Sequence, residues 1–239
     1  MHMNQLPGSK VLGLFLFLGL TVLGYLLSGA VKDFKAFERG VTVKGLSERE
    51  VSADIVIWPI VFTVADNDLE ALYEAIESNT AKIEQFLKAQ GIDSGEVSHS
   101  LPSITDKSAQ EYGSSPAAPF RFTAMQTVTV YSPQVDLVRK TMAEMAELGK
   151  SGIVFRGDQH LNQTEYLYNG LNSLKPEMIQ EATAKAREVA EKFAQDSNSR
   201  LGKIRDASQG QFSITSRDAN NPHIKKIRVV STVTYQLID

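Results

Sequence analysis

The chain has 239 residues, of which 42% are hydrophobic and 22% are charged, a balance typical of a folded globular protein and not of a disordered or low-complexity chain. Its formal net charge of -3 is too near neutral for the whole surface to bind nucleic acid or anionic membranes generically. The absence of cysteine excludes disulfides, thiolate nucleophiles and thiolate metal ligands, but does not fix the compartment.

The N-terminal segment 1–31 is the most apolar part of the chain. The 21 residues of Val11–Val31 carry no charge, and a helix needs about 20 apolar residues to cross a bilayer core of about 30 Å. The run predicts an N-terminal transmembrane helix that anchors the protein in a membrane by a single pass. A cleaved signal peptide is the alternative, since Lys10 precedes the run and Ser28 and Ala30 form a small-x-small pattern.

The charges around this run leave its orientation open. Lys10 precedes it, whereas Lys32, Lys35 and Arg39 follow it, and these residues alone would place the large domain in the cytoplasm. Residues 32–40 are interpreted as a charged juxtamembrane linker. The remainder, 41–239, is long enough to form a domain with its own hydrophobic core.

The start of this domain predicts a β-hairpin. Val41–Leu46 and Val51–Val64 are rich in β-branched residues, and the polar Ser47–Glu50 is the expected turn between them. The second strand is apolar on both faces, so we expect protein to cover both, and we take four of its side chains as a candidate oligomer interface. These are Val56, Trp58, Ile60 and Phe62.

Apolar positions spaced three and four residues apart predict three amphipathic helices. They cover about 68–90, 132–149 and 176–200, the second beginning at Ser132 as its cap and the third at Pro176. The expected inner face of the third helix carries Ile179, Ala182, Ala186, Val189 and Phe193, joined by Ala190 and Ala194. Its small side chains predict a close approach to a sheet or a second helix.

Strands are predicted at 96–104, 120–131, 153–156, 165–168, 203–215 and 225–237. Strand pairs that alternate with single helices predict an α+β fold of largely antiparallel hairpins. Between two of these strands, Asp106–Pro119 is rich in Ser, Ala, Pro and Gly and longer than most connections. It is expected to be mobile or to bind something.

No familiar catalytic or cofactor motif is present. There is no nucleophile elbow, Walker loop or dinucleotide-binding glycine pattern, and we predict no cofactor. The four histidines, His2, His99, His160 and His223, lack the spacing of a zinc site, and no metal site is predicted. Dispersed carboxylates such as Asp54, Asp158 and Asp218 are the remaining acid/base candidates, although each is more often an ordinary solvated residue.

One segment is locally basic. Residues 200–228 contain seven basic residues and two acidic ones, which gives a local charge of +5. Six of them form a candidate site for an anionic glycan, a lipid headgroup or phosphate: Arg200, Lys203, Arg205, Lys225, Lys226 and Arg228. The alternative is that these side chains protect exposed strand edges. Phe212 is the only aromatic residue in this segment, so nucleic-acid binding is not predicted.

Several separated blocks of sequence resemble one family. They are VTVKGLSEREVSADIVIW (41–58), FLKAQGI (86–92), YNGLNSLKPEMIQEATAKAREVAEKFA (168–194), QGQFSITSRD (209–218) and KKIRVVSTVTYQL (225–237). Occurring in this order over nearly all of 41–239, they resemble the bacterial SIMPL-domain proteins, a family of unknown function.

The resemblance implies an extracytoplasmic, periplasmic domain behind a signal or anchor, with a tendency to oligomerise and no established enzymatic activity. It also implies a loose association with envelope or oxidative stress, and it favours the periplasm over the orientation that the flanking charges indicate. We therefore expect a non-enzymatic protein, anchored in the inner membrane by its N-terminal helix, that acts by assembly or by binding an envelope protein. The alternative is a module that binds an anion through its basic C-terminal segment.

Overall fold

The computed structural model describes residues 7–109, 119–156 and 163–239. It confirms a mixed α+β fold with antiparallel sheets. The chain divides into two compact units. The first contains Met1–Glu48, Pro176–Ser213 and Arg228–Asp239, and the second contains Arg49–Lys175 and Ile214–Ile227.

The elements have the following bounds. The helices are α1 (Pro7–Glu38), α2 (Leu69–Ala89), α3 (Val135–Ala143), α4 (Ala146–Lys150) and α5 (Leu171–Asp196). The strands are β1 (Gly40–Ser52), β2 (Ile55–Asp66), β3 (Val97–His99), β4 (Ser103–Asp106), β5 (Phe122–Ser132), β6 (Val154–Phe155), β7 (Glu165–Leu167), β8 (Arg200–Gln209), β9 (Ser213–Ser216) and β10 (Ile224–Ile238).

The N-terminal helix is longer than the uncharged run that predicted it. α1 covers Pro7–Glu38 and continues through most of the stretch 32–40 that was expected to be a linker. In the described part of the chain, no helix is both long enough and apolar enough to cross a membrane. The structure therefore does not support the predicted transmembrane helix.

In the first unit, α5 packs on β1 and β10 through small side chains. Met178, Ala182, Ala186, Ala190 and Ala194 are all buried, and their spacing of four residues keeps them on one face of the helix. Ala186 and Ala190 pack with Val43, Val233 and Tyr235 to form the core of this unit. The predicted close approach of this helix is therefore confirmed.

The inner face of α5 is narrower than predicted. Val189 and Phe193 were expected to be buried, but they are 38% and 55% exposed, because the alanines occupy the side that meets the sheet. The helix also begins at Leu171, before Pro176, so the predicted start was wrong. Pro176 is the sixth residue of this helix and has no N–H group, so the backbone hydrogen bond to the carbonyl of Asn172 is missing there.

The first sheet has four strands: β10 lies between β1 and β8, and β9 also pairs with β10. The sequence predicted a hairpin with its turn at Ser47–Glu50, and this was wrong. β1 continues through these residues, and β2 belongs to the other sheet. Ser47 is fully buried in this strand. Its hydroxyl donates to Glu181 Oε2 at 2.8 Å, so the buried polar group has a hydrogen-bond partner.

In the second unit, six strands form the order β3–β5–β2–β6, with β4 also on β5 and β7 also on β2. β2 and β5 pair without interruption from Val56↔Ser132 to Asp66↔Phe122. α2 covers one face of this sheet through Leu72, Ile76, Ile83 and Leu87, which are buried in its core. As predicted, this helix is amphipathic and core-facing.

The ends of several elements agree with the local chemistry of the sequence. Asp68 caps α2, since its carboxylate accepts the backbone N–H groups of Glu70 and Ala71 at 2.8 and 3.0 Å. Gly91 follows the helix with a φ of +91°, a conformation that glycine adopts without steric cost. The helix predicted to end at Gly149 is divided into α3 and α4.

Candidate functional site

The six candidate anion-binding residues lie on β8 and β10, and several have partners within the chain. Arg200 donates to the backbone oxygen of Asp239 at 2.9 Å, and Arg228 Nε lies 3.3 Å from Glu48 Oε1. Arg205 and Lys226 also interact with other residues. By the division of the chain, Lys225 and Lys226 belong to the second unit and the other four to the first. Many of these basic side chains therefore already contact other residues of the chain.

Lys225 is the most buried of these six residues. It is 9% exposed, and its Nζ donates to Ser216 Oγ at 3.1 Å. Burial disfavours the charged ammonium, which lowers the pKa of Lys225. A lysine in this position is better suited to holding β9 and β10 together than to attracting an anion from solution.

The four side chains predicted to form an oligomer interface are core residues. Val56 and Phe62 are 0% exposed, Ile60 is 1% and Trp58 is 5%, and all four belong to the hydrophobic core of the second unit. They face α2, because alternate residues of a strand share one face and this helix covers that face. The folded chain does not present them to a partner, so this prediction is corrected.

Exposed apolar side chains lie instead on the side of the first sheet that carries α5. Val189 and Phe193, 38% and 55% exposed, are four residues apart and therefore adjacent on the helix surface. Ile204 of β8 is 51% exposed and pairs in register with Tyr235, whose side chain packs against the helix. Paired residues project from the same face of a sheet, so Ile204 lies on the α5 side. We call Val189, Phe193 and Ile204 the α5 surface.

Charged residues surround the two apolar positions of α5. Arg187 Nε lies 3.0 Å from Glu191 Oε1, and Lys192 Nζ lies 3.2 Å from Glu188 Oε1. The acidic residue comes first in one pair and second in the other, and the flank carries no net charge. Such an arrangement solubilises the helix without repelling a second copy of it.

β8 is an edge strand in which no residue is buried. Its pairing with β10 contains two register irregularities, on either side of Tyr235. Irregular pairing and charged side chains along an edge are common protections against unwanted strand addition. This agrees with the second interpretation of the basic segment, in which its lysines and arginines protect an exposed edge.

Asp54 and Asp218, the two described carboxylates among the acid/base candidates, accept hydrogen bonds from different groups. Asp54 accepts the backbone N–H groups of Asn169 at 2.8 Å and Gly170 at 3.1 Å, which fixes the segment before α5. Asp218 accepts from Arg217 Nε at 2.8 Å and from the backbone N–H groups of Asn220 and Asn221 at 2.9 Å. Asp158 lies outside the described residues, as does most of Asp106–Pro119. Asp54 and Asp218 therefore stabilise the backbone segments whose N–H groups they bind.

The two histidines in the described residues lie in different surroundings. The ring of His223 meets that of Tyr166 edge to face, with centroids 6.0 Å apart, and burial lowers the pKa of His223. His99 Nδ1 lies 3.6 Å from Glu84 Oε1. His2 and His160 lie outside the described residues. Over the part of the chain that the structure describes, no group of three or more His, Asp or Glu is arranged to hold a metal ion.

The sequence did not predict a groove in the second unit, between α2 and the segment that joins β3 to β4. Its volume is about 380 Å³, and its lining residues are Tyr73, Ile76, Glu77, Thr80, Ala81, Glu84, His99, Ser100, Leu101, Pro102 and Gln126. A strand was predicted throughout 96–104, whereas the structure leaves Ser100–Pro102 outside it. Pro102 was the available signal, since proline inside a strand marks an edge or a bulge.

Gln126 forms the polar floor of this groove. It is 6% exposed, its Oε1 accepts from the Thr80 hydroxyl at 2.8 Å, and its Nε2 donates to the Ser100 carbonyl at 2.8 Å. These bonds join α2, β5 and the segment after β3. The buried Gln126 side chain is therefore hydrogen-bonded to both walls of the groove and holds them in place.

The architecture is that of a mixed α+β protein with antiparallel sheets. The family model described as SIMPL, protein of unknown function (DUF541), matches residues 41–235. The chain belongs to this family, which confirms the resemblance of the sequence blocks. No curated protein matches the chain.

Proposed function

We propose that this SIMPL-domain protein acts without catalysis, by assembling with further copies of itself through the α5 surface. The observation that carries the proposal is the exposure of Phe193, at 55%, next to the alanine-rich buried face of α5. An exposed aromatic side chain beside a second apolar residue is typical of an interaction surface.

The partner we propose is a second copy, because the α5 surface complements itself. Two antiparallel copies of α5 related by a twofold axis would place Val189 of one near Phe193 of the other. The same reversal places Lys192 of one copy within about one helical turn of Glu188 of the other, a residue of opposite charge. The family's tendency to oligomerise supports the same choice.

The anion-binding alternative has weaker support. Arg200, Lys225 and Arg228 already contact Asp239, Ser216 and Glu48 within the chain. A bound anion would have to compete with these contacts. We therefore favour assembly over binding of a glycan, a lipid headgroup or phosphate.

Cysteine cross-linking of the full-length chain tests the assembly. The chain has no cysteine, so Phe193→Cys introduces a unique thiol on the α5 surface. Val154→Cys is the matched control, because Val154 is also an exposed apolar residue, at 63%, but lies in the second unit. In the antiparallel pair the two residues 193 are offset by about 6 Å along the helix axes, so a short bismaleimide is the cross-linker, and we expect a covalent dimer from Phe193→Cys and a monomer from Val154→Cys. Equal cross-linking of the two variants, or none, would contradict the proposal.

We also propose that the domain resides in the periplasm, with an involvement in envelope or oxidative stress. The uncharged run Val11–Val31 and the family likeness support this location. A C-terminal fusion to alkaline phosphatase, which folds only outside the cytoplasm, should be active, and a fusion to a cytoplasm-dependent fluorescent protein should be dark. The reverse pattern would place the domain in the cytoplasm. Alkaline extraction of the membranes then distinguishes a retained N-terminal segment from a cleaved one.

The stress role is tested together with the assembly. A strain without the protein should be more sensitive to hydrogen peroxide, and wild type should restore resistance. The Phe193→Asp variant should accumulate to the same level but not restore it. Full rescue by Phe193→Asp would separate the stress role from assembly through the α5 surface.

A further inference from the structure

We propose that the groove between α2 and the β3–β4 segment binds a small organic cation with an apolar body, of the linear diamine class. The groove has a volume of about 380 Å³, within the range of roughly 300–1,000 Å³ typical of small-molecule sites. It lies within the second unit, and the proposal is independent of assembly through the α5 surface.

The charges of the residues that line the groove determine the charge of the ligand that it can bind. Glu77 and Glu84 supply two carboxylates, and among the described residues that line the groove there is no lysine or arginine. Glu84 contacts the His99 ring at 3.6 Å, a distance that leaves its oxygens able to accept from an ammonium group. A cation is therefore attracted and an anion is repelled.

The spacing of the two carboxylates sets the length of the ligand. Glu77 and Glu84 are seven residues apart on α2, which separates their backbone positions by about 10 Å along the helix axis. Seven residues make two helical turns, so both side chains project from the same side. One compact ammonium group cannot reach both, whereas a linear diamine with a long methylene chain can.

The remaining lining residues suit the apolar part of such a ligand. Tyr73 is 45% exposed, and an aromatic ring attracts cations to its face. Leu101 is 92% exposed next to Pro102, where the β3–β4 segment leaves its pairing with β5. Burial of the leucine against a methylene chain would remove an apolar side chain from water. Thr80 and Gln126 hold the floor, and their polar groups are already bonded to each other.

Calorimetric titration of the full-length chain in a neutral detergent tests the proposal with 1,8-diaminooctane as the probe. We expect saturable binding at one site. The uncharged 1,8-octanediol should bind about tenfold more weakly, because it lacks both ammonium groups. The shorter 1,3-diaminopropane should also bind more weakly, because it reaches only one carboxylate. No binding of 1,8-diaminooctane, or equal binding of the diol, would overturn the proposal.

Variants locate the site. Glu77→Gln and Glu84→Gln should each weaken binding about twofold to fivefold, as expected for the loss of one exposed charge pair. Glu74→Gln is the matched control, since Glu74 is exposed on α2 but does not line the groove. Circular dichroism should show unchanged folding for all three. If Glu74→Gln weakens binding as much as the other two, the diamine is held by the general charge of the helix, and the groove is not its site.

Discussion

Gly45 of β1 lies directly against the backbone of α5 at Ala182. A Cβ atom added at Gly45 would overlap the carbonyl oxygen of Ala182 and would lie 2.5 Å from the backbone nitrogen of Ala186. Real Cβ atoms do not approach backbone atoms this closely. The absence of a side chain at this one position therefore lets helix and strand meet.

We expect Gly45→Ala to destabilise the protein by about 3 kcal/mol, since the added methyl group must push the helix away from the strand. The obstacle is backbone, which cannot rotate aside as a flexible side chain can. Urea denaturation followed by circular dichroism measures the change as a shift of the unfolding midpoint.

Gly149→Ala is the control for this substitution. Gly149 lies in α4, and a Cβ there would meet no atom within 4 Å. Because alanine favours the helix over glycine, we expect a gain of up to about 1 kcal/mol. A loss of similar size in both variants would show that the contact of Gly45 with α5 is not the cause.

The sequence predicted the elements whose side chains alternate or repeat on one face. β2, β5 and α2 follow this rule, because most of their buried positions are apolar, with Gln126 and Ser132 of β5 as the polar exceptions. The continuation of β1 could not be predicted from neighbouring residues. The hydrogen-bond acceptor for the buried Ser47 hydroxyl is Glu181, which is far away in sequence. The exposed Phe193 was missed for a related reason. Hydrophobicity favoured Phe193 for the core, but the face of α5 that meets the sheet runs through Ala186, Ala190 and Ala194 and leaves Phe193 beside it.

The candidate sites were predicted less well than the fold. The basic segment was found from its charge alone, but charge does not reveal partners such as Glu48 for Arg228. The groove was missed because its lining comes from α2, β5 and the β3–β4 segment, and their proximity is a property of the folded sheet. Pro102 carried a local signal, but one proline does not specify a cavity.

Replacement of Asp54 by alanine tests its structural role. We expect a loss of about 1–3 kcal/mol, because the backbone N–H groups of Asn169 and Gly170 lose their carboxylate acceptor before α5. The measurement is again the urea midpoint. Asp206→Ala, at an exposed position of β8, should stay within about 0.5 kcal/mol of wild type. Equal stability of Asp54→Ala and wild type would contradict this role.

Asp218 makes stability depend on acid. Hydrogen bonds from the Arg217 guanidinium and from the Asn221 side chain lower the pKa of Asp218 to about 2, below its value of about 3.9 in an unfolded chain. As the pH falls, the unfolded state takes up the proton first. The stabilisation is therefore complete above about pH 4 and is lost as the pH falls towards 2.

The Asp218→Asn variant should remove this contribution. We expect its urea midpoint to fall less than that of wild type between pH 6 and pH 3, with the two proteins differing most at pH 6. Measuring both proteins at several pH values in the same salt gives the difference directly. Parallel losses in the two proteins would mean that Asp218 does not contribute to the acid dependence.

Gln126 should couple the two walls of the groove. Gln126→Leu keeps the size of the side chain but removes the donor to the Ser100 carbonyl, and we expect a loss of about 1–3 kcal/mol. Thr80→Val removes the hydroxyl that donates to Gln126 Oε1 and should cost less in the Gln126→Leu background than in wild type. A double-mutant cycle in urea should give a coupling energy of about 1 kcal/mol. Additive losses would show that Thr80 and Gln126 act separately, with the hydroxyl held instead by the Ile76 carbonyl, 2.9 Å away.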